Sequence, residues 1–294
     1  MMCPLSWSRT VPREWVHRSS AAEVLITDVV ARTGNRYAAA AAWSRSHPTF
    51  PLDGSDLHHP LLIMETLRQL GIYIPLRHFG VPEDSRLVIA DVHFRADPAA
   101  EPRAAAACTE VSCDVLATHL RFRNDGTLSG LRLDVTLSAA AGPFARGGGL
   151  VHFLPAARYV RMRRGGADLP PPPPEPGLRR PPRRLLGVAH DRDVVIAADG
   201  GSARVAPFDV RHPFFFDHPS DHVPGVVLLE AARQAAAYAS GGTLVRPRAV
   251  RMKAARFTEF RPQAGVHIAI HHRTCAFRIV QGENLTTFGA FEYE

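Results

Sequence analysis

Hydrophobic and polar positions fall into the same succession of segments twice along the chain. In the amino-terminal half, short apolar runs at 24–27 and 37–43 lead into a stretch rich in His, Pro and Asp. A long apolar block at 61–74 follows, then β-type runs at 86–94, 128–137 and 150–153. The carboxyl-terminal half repeats this order, with runs at 194–197 and 204–208, a block at 226–239, and further runs at 246–260, 266–271, 276–280 and 286–293. Short runs of β-branched, aromatic and alternating residues predict strands, whereas blocks of this length predict helices. The second helix stops at Gly241-Gly242, a usual carboxyl-terminal signal. Both helices are apolar on nearly every side, so both must be buried.

The repeat is visible in the residues themselves. Offset by 165 positions, 47–69 aligns with 212–234 without a gap, and eight of 23 positions are identical. These are His47/His212, Pro48/Pro213, Phe50/Phe215, Ser55/Ser220, Asp56/Asp221, Glu65/Glu230, Arg68/Arg233 and Gln69/Gln234. With small gaps, Glu23-Val24-Leu25-Ile26 also matches Asp193-Val194-Val195-Ile196. One buried helix wrapped by a long antiparallel sheet is the hot-dog arrangement. The chain is therefore read as an α+β double hot dog, with units at 1–161 and 185–294 joined by a linker at 162–184.

Composition narrows the class of protein. With 46% apolar and 21% charged residues, the chain has a globular composition. No run approaches the roughly 20 apolar residues of a membrane span, and the first residues lack the apolar core of a signal peptide, so a cytoplasmic location is expected. Residues 161–184 carry +5 of the formal +7 charge, but PPPPPEPG and RRPPRR make this an extended connector or a contact for an acidic protein, not a nucleic-acid groove. Cys3, Cys108, Cys113 and Cys275 have neither disulfide-framework nor zinc spacing and are read as reduced.

Candidate chemistry lies on the two helices and the loops before them. Glu65, Arg68 and Gln69 share one helix face, as do Glu230, Arg233 and Gln234. A charged pair interrupting a buried helix in both copies is either a structural salt bridge or part of a cleft, and the repetition favours the cleft. In the loop 212–225, His218 and His222 invite a metal reading, but Pro219 prevents helical i, i+4 spacing, and the first copy has Asp53 and Leu57 there. Pro224-Gly225 instead turns the chain closely into the helix, where the N–H groups near Gly225 and Val226 suit a thioester oxyanion. Ser55 and Ser220 lack a nucleophile elbow and are read as loop hydrogen-bonders; His47 and His212 are read as positioning groups. The doublets His58-His59 and His271-His272 have no companion ligand and are assigned to loop or exposed strand positions.

The run from Asp217 through Gly225, followed by Leu228-Leu229-Glu230-Ala231-Ala232-Arg233-Gln234, resembles the signature of the A-factor synthase-like family, the actinobacterial γ-butyrolactone autoregulator synthases. Val11-Pro12-Arg13-Glu14, Val16-His17-Arg18, Arg45-Ser46-His47 and Phe79-Gly80-Val81-Pro82 agree in the first copy. The chain departs from the family pattern at His59, where Asp is expected before Pro60, and in its long linker.

The resemblance implies a tandem hot-dog acyltransferase related to β-hydroxyacyl-carrier-protein dehydratases. It would move a β-ketoacyl chain from acyl carrier protein to the hydroxyl of dihydroxyacetone phosphate, and the ester would cyclise toward a butenolide or furan signal. No resident cofactor is implied, since phosphopantetheine arrives on the donor. In the corresponding mechanism, Glu230 is general base, Gly225 and Val226 hold the oxyanion, and Arg233 or Arg68 binds phosphate. Glu65 is its counterpart in copy one, while His218, Asp221, His222, Gln234 and Gln69 complete the substrate contacts. Residues from both copies are expected to meet in one cleft, with copy two the first choice; the chain is either a monomeric pseudo-dimer or a homodimer. The alternatives are a hot-dog dehydratase or thioesterase using His218, and a non-enzymatic acyl binder.

Overall fold

The structure, a computed structural model, describes residues 4–45, 47, 56–104, 108–163, 177, 179–199 and 201–294. The chain divides into two compact units, Met1–His47 with Leu62–Gly166 and Pro48–Leu61 with Ala167–Glu294. The segment just ahead of the first long helix thus groups with the second unit.

In the first unit, turns at Arg13–Val16 and Ala21–Glu23 lead into β1 (Ile26–Ala31) and β2 (Arg36–Ser44). Helix α1 (Leu61–His78) follows, then β3 (Arg86–Ala96), β4 (Cys108–Phe122), β5 (Leu128–Ala139), β6 (Gly142–Leu154) and the short α2 (Ala156–Arg163). Its sheet runs β1-β2-β4-β5-β6-β3 with antiparallel neighbours. The second unit opens with α3 (Arg183–Leu186) and a turn at Asp191–Asp193. It continues through β7 (Ile196–Asp199), β8 (Ser202–Val205), α4 (Gly225–Ala239), β9 (Ala249–Ala254), β10 (Gly265–His271), β11 (Thr274–Gln281) and β12 (Asn284–Glu292). Its order, β7-β8-β10-β11-β12-β9, is the same topology, again antiparallel. Each unit is a hot-dog domain, and the chain is a double hot dog.

Both long helices are buried because they are apolar on most sides and their few buried charged residues are paired. Leu62, Leu70, Ile72 and Ile74 of α1 are essentially inaccessible, as are Val227, Ala231, Ala232 and Ala236 of α4. Burying one such leucine contributes on the order of 2 kcal/mol. Trp43 of β2 fixes α1 by donating from Nε1 to Thr66 Oγ1 at 3.0 Å, while Thr66 bonds back to Leu62 O. The sequence predicts that α1 stops before Pro75, yet it runs to His78. The proline forfeits its own N–H but has a φ compatible with helix, and the N–H groups of Phe79 and Val81 close onto Pro75 O.

Other differences have equally local causes. Strand β4 is absent from the sequence expectation, although its inward positions, Val111, Cys113, Val115 and Ala117, alternate along the chain. Strand β6 is far longer than 150–153 because Gly147, Gly148 and Gly149 interrupt the hydrophobic signal. Those glycines are needed: a Cβ at Gly148 would lie 2.0 Å from Leu133 O, and one at Gly149 2.4 Å from Asp91 O. The expected strand at 246–260 is paired only over Ala249–Ala254. Beyond it, Thr258 O accepts from Val223 N and Thr258 Oγ1 donates to Thr286 Oγ1, so this stretch supports the loop before α4 instead.

Of the Pro/Arg segment, residues 164–176 and 178 lie outside the described residues. At its carboxyl end, Arg179 O accepts from Ala198 N, and the Arg180 guanidinium sits 4.5 Å from the Phe208 ring centroid.

Candidate active site

The repeated helix face builds one buried polar cluster in each unit. In the second, Arg233 donates from Nε to Glu230 Oε2 at 2.8 Å and from Nη2 to Glu230 Oε1 at 2.5 Å, a two-pronged ion pair. Gln234 Nε2 donates to the same Oε1 and to Asp193 O, both at 2.8 Å, and Gln234 Oε1 accepts from Val195 N. Arg233 spends Nη1 on Val245 O at 2.7 Å. Glu230 and Arg233 are each only 2% exposed. Burial raises the glutamate's pKa, but the Arg233 charge and hydrogen bonds, the nearby His59 and Gln234 outweigh it, and the net shift is downward. Glu230 is thus held as an anion with both oxygens engaged. Such a group binds a cation well and accepts a proton poorly, which weakens the expectation that it acts as general base.

The first unit repeats the cluster with one addition. Arg68 donates from Nε and Nη2 to Glu65, and Gln69 Nε2 donates to Glu65 Oε1 at 2.6 Å. Gln69 also bonds Glu23 O, Leu25 N and Ile26 N, so this side chain ties the helix to the start of β1 as Gln234 ties α4 to β7. Arg18 adds a second cation, with Nε 3.0 Å from Glu65 Oε1 and Nη2 2.8 Å from Oε2. Against the opposing effect of burial, the two arginines and Gln69 hold Glu65 down to about 2. Arg13 and Arg183 occupy matching places, each donating to a carbonyl six residues on, of Ser19 and Ala189. By that register Val188 stands where the first copy has Arg18.

The repeated histidines are bolts between loop and turn. His47 Nε2 lies 2.9 Å from Glu23 Oε2, and His212 Nε2 lies 3.0 Å from Asp193 Oδ1. His212 Nδ1 accepts from the N–H groups of Phe214 and Phe215, so its proton must be on Nε2, facing the aspartate. Positioning is therefore the role that the geometry assigns to them. Ser220 is likewise a loop hydrogen-bonder, donating to His222 O at 2.8 Å and accepting from His222 N at 3.4 Å. Its counterpart Ser55, with Asp53, lies outside the described residues.

The loop leads directly to the amino terminus of α4. Pro224 O accepts from both Val227 N and Leu228 N, leaving the N–H groups of Gly225 and Val226 without an acceptor inside the helix. Three residues earlier, Asp221 Oδ1 lies 2.6 Å from His222 Nδ1; the aspartate side chain is 3% exposed and the histidine 27%. His218 stands apart, half exposed and 3.8 Å from Asp217 Oδ2. Among the described residues no group of three His, Cys, Asp or Glu side chains could hold a metal ion.

Two participants escaped the sequence reading. His58 and His59, assigned there to loop or exposed strand positions, are in a loop but buried, and His59 acts electrostatically on Glu230. His59 Nδ1 accepts from Leu61 N at 3.1 Å, and Arg246 Nη2 donates to His58 O at 2.9 Å. Burial, then the Arg246 charge, pushes His58 down to about 4. The only hint in the sequence was the departure from the family's Asp at position 59. Tyr293 also lies within electrostatic reach of Glu230 and Arg233; its buried hydroxyl has no partner among the described residues, and burial raises its pKa. Nothing in the sequence ties this carboxyl-terminal tyrosine to the helix. The doublet His271-His272 is exposed at the β10–β11 turn, as expected.

This arrangement has parallels among known proteins. Residues 4–155 and 172–261 match the family described as the A-factor biosynthesis hotdog domain. The 2-oxo-3-(phosphooxy)propyl 3-oxoalkanoate synthase of Streptomyces virginiae is 36% identical over 258 residues, covering 85% of this chain and 84% of that protein. The synthase of the same name from Streptomyces coelicolor is 31% identical over 254 residues, covering 85% and 79%. Among solved structures, an acyl-ACP thioesterase from Bacteroides thetaiotaomicron superposes with a TM-score of 0.53 at 10% identity, covering 90% of this chain and 100% of that one, a likeness of fold alone. The chain belongs to the A-factor biosynthesis hotdog family.

Proposed function

We propose that this protein is an acyltransferase that joins a 3-oxoacyl chain to the hydroxyl of dihydroxyacetone phosphate. The observation that carries the reading is the 36% identity to a 2-oxo-3-(phosphooxy)propyl 3-oxoalkanoate synthase across 84% of that relative. The compound in that name is the ester of a 3-oxoacid with dihydroxyacetone phosphate. We take the donor to be an acyl carrier protein thioester, whose phosphopantetheine arm supplies the thiol, and we place the reaction in the cytoplasm; among the described residues no helix is long and apolar enough to cross a membrane.

In this reaction the acceptor oxygen attacks the thioester carbonyl, the C–S bond breaks, and the hydroxyl proton ends on the departing thiol. The N–H groups of Gly225 and Val226 are suited to the oxyanion that forms at the carbonyl. Glu230, Arg233 and Gln234 form a buried, hydrogen-bonded ionic cluster in the following turns of the same helix. Arg233 has committed all three nitrogens, whereas Arg68 keeps Nη1 without a described partner and its side chain is 18% exposed. Of the two arginines, Arg68 is therefore the one with a nitrogen left for a phosphate bound at its own unit's cluster.

Purified protein incubated with a 3-oxoacyl carrier protein and dihydroxyacetone phosphate should form the phosphorylated ester, detected by mass spectrometry. Free 3-oxoacid without ester would point to hydrolysis. An enoyl product from a 3-hydroxyacyl donor would point to dehydration.

A further inference from the structure

We propose that the outward face of the sheet in the second unit docks an acidic surface of the carrier protein that delivers the acyl chain. The inference rests on the acyl-transfer reading and names where its donor binds.

The strand register sets the face. Lys253 of β9 pairs with Phe288 of β12, Phe288 with Arg278 of β11, and Arg278 with His267 of β10. Side chains of paired residues stand on one side of a sheet, so these four form a row across four strands. All four are exposed. Their chain neighbours Met252, Phe277, Ile279 and Val266 are buried on the other side, where β10 and β11 pack against α4. Two residues along, Arg251 pairs with Ala290, Ala290 with Ala276 and Ala276 with Ala269, so a third cation stands at the end of a shallow row of alanines.

Charge and surface chemistry choose the occupant. The side chains of Arg251, Lys253 and Arg278 have no ion pair or hydrogen bond among the described residues. In β9 to β12 the only acidic residue is Glu292, and Arg248 Nη2 stands 3.8 Å from it. The first unit, built on the same topology, balances its outward charges: Arg132 lies 2.7 Å from Asp91, and Arg36 lies 3.8 Å from Asp114. The fold therefore does not require an unbalanced face, and the second unit has one. Between Lys253 and Arg278 the ring of Phe288 is 36% exposed, an apolar contact bracketed by cations. A protein surface with carboxylates around an apolar spot complements this pattern. A second copy of this chain does not, because pairing the face with itself sets cations against cations. The carrier protein is the one macromolecule in the proposed reaction, and carriers of this class are acidic. Its flexible phosphopantetheine arm lets it dock one layer away from the helix whose N–H groups receive the thioester.

The test compares the wild type with Lys253→Glu combined with Arg278→Glu, using two donors of the same acyl chain: a 3-oxoacyl carrier protein and the 3-oxoacyl thioester of pantetheine. Charge reversal should raise KM for the carrier protein at least about tenfold at low salt and remove its salt dependence. For the pantetheine thioester kcat/KM should stay within about twofold, since that donor has no surface to steer. A carbodiimide, which condenses a carboxylate with an amine, should join the carrier protein to Lys253, the chain's only lysine; Lys253→Arg should lose the link and keep the KM. An unmoved KM for the carrier protein, an equal loss with both donors, or no link at Lys253 overturns the docking face and leaves acyl transfer intact. Duplex DNA retained by the wild type and released by charge reversal, with the carrier's KM unmoved, assigns the face to nucleic acid instead. A wild type that makes no ester from either donor overturns the acyl-transfer reading, and the crosslink alone then decides the docking. Should the double variant fail to fold, Lys253→Gln combined with Arg278→Gln takes its place in the same comparison.

Discussion

Arg18 reaches Glu65 across 47 positions of sequence, with Nη2 2.8 Å from Oε2, and closes an ion pair in the first unit for which the second has only Val188. Two otherwise matching clusters therefore differ in charge. Glu65 is neutralised twice, whereas Glu230 has one arginine and the proximity of His59.

Removing one partner of such a pair strands the other. Glu230→Gln should destabilise the protein by about 3–5 kcal/mol, because Arg233 remains charged and buried. Arg233→Met combined with Glu230→Gln should recover a substantial part of this loss. Urea denaturation of the single and double variants measures both quantities.

Stability should fall in two steps on acidification. His58 has a folded pKa of about 4 against an ordinary 6.5, so the stability it confers is complete above pH 6.5 and lost as pH falls toward 4. Glu65 has one of about 2 against 4.5, so its contribution is complete above pH 4.5 and lost between there and 2. Each step is on the order of 3 kcal/mol at most. Denaturation midpoints across pH 7 to 3 should flatten in the upper window for His58→Gln and in the lower for Glu65→Gln.

His212→Ala should cost about 2–3 kcal/mol, because it deprives the buried Asp193 Oδ1 of its imidazole donor and frees the N–H groups of Phe214 and Phe215. Hydrogen exchange at those two amides should quicken in the variant. Unchanged protection there would show that the loop holds itself.

Gly148→Ala should destabilise by about 2–3 kcal/mol or prevent folding, since the new methyl would meet Leu133 O at 2.0 Å. Comparison with Gly126→Ala, which meets no neighbour but has φ 80°, separates a packing clash from backbone strain in the same melting experiment.

Arg68→Lys should raise KM for dihydroxyacetone phosphate about tenfold while leaving that for unphosphorylated dihydroxyacetone nearly unchanged, because a lysine cannot hold Glu65 and a phosphate together. Equal effects on both acceptors would remove the phosphate role.

The sequence by itself determined the duplication, the two buried helices and most of the strands around them. An all-round apolar block has no stable place but a core, and eight identities in 23 positions mark descent from one unit. It also singled out Glu230, Arg233 and Gln234, since charge on such a helix must be paired. Most of β6 stayed hidden because glycine carries little hydrophobic signal, although the close approach of neighbouring backbone demands it at 148 and 149. Only the tertiary structure decided which partners those charges have. Arg18, His59 and Tyr293 come to the helix face from distant segments, and spacing along a chain records neighbours on one element, not neighbours across a core. For the same reason the sequence could offer Glu230 as a base, while only the fold shows that Arg233 and Gln234 engage both of its oxygens.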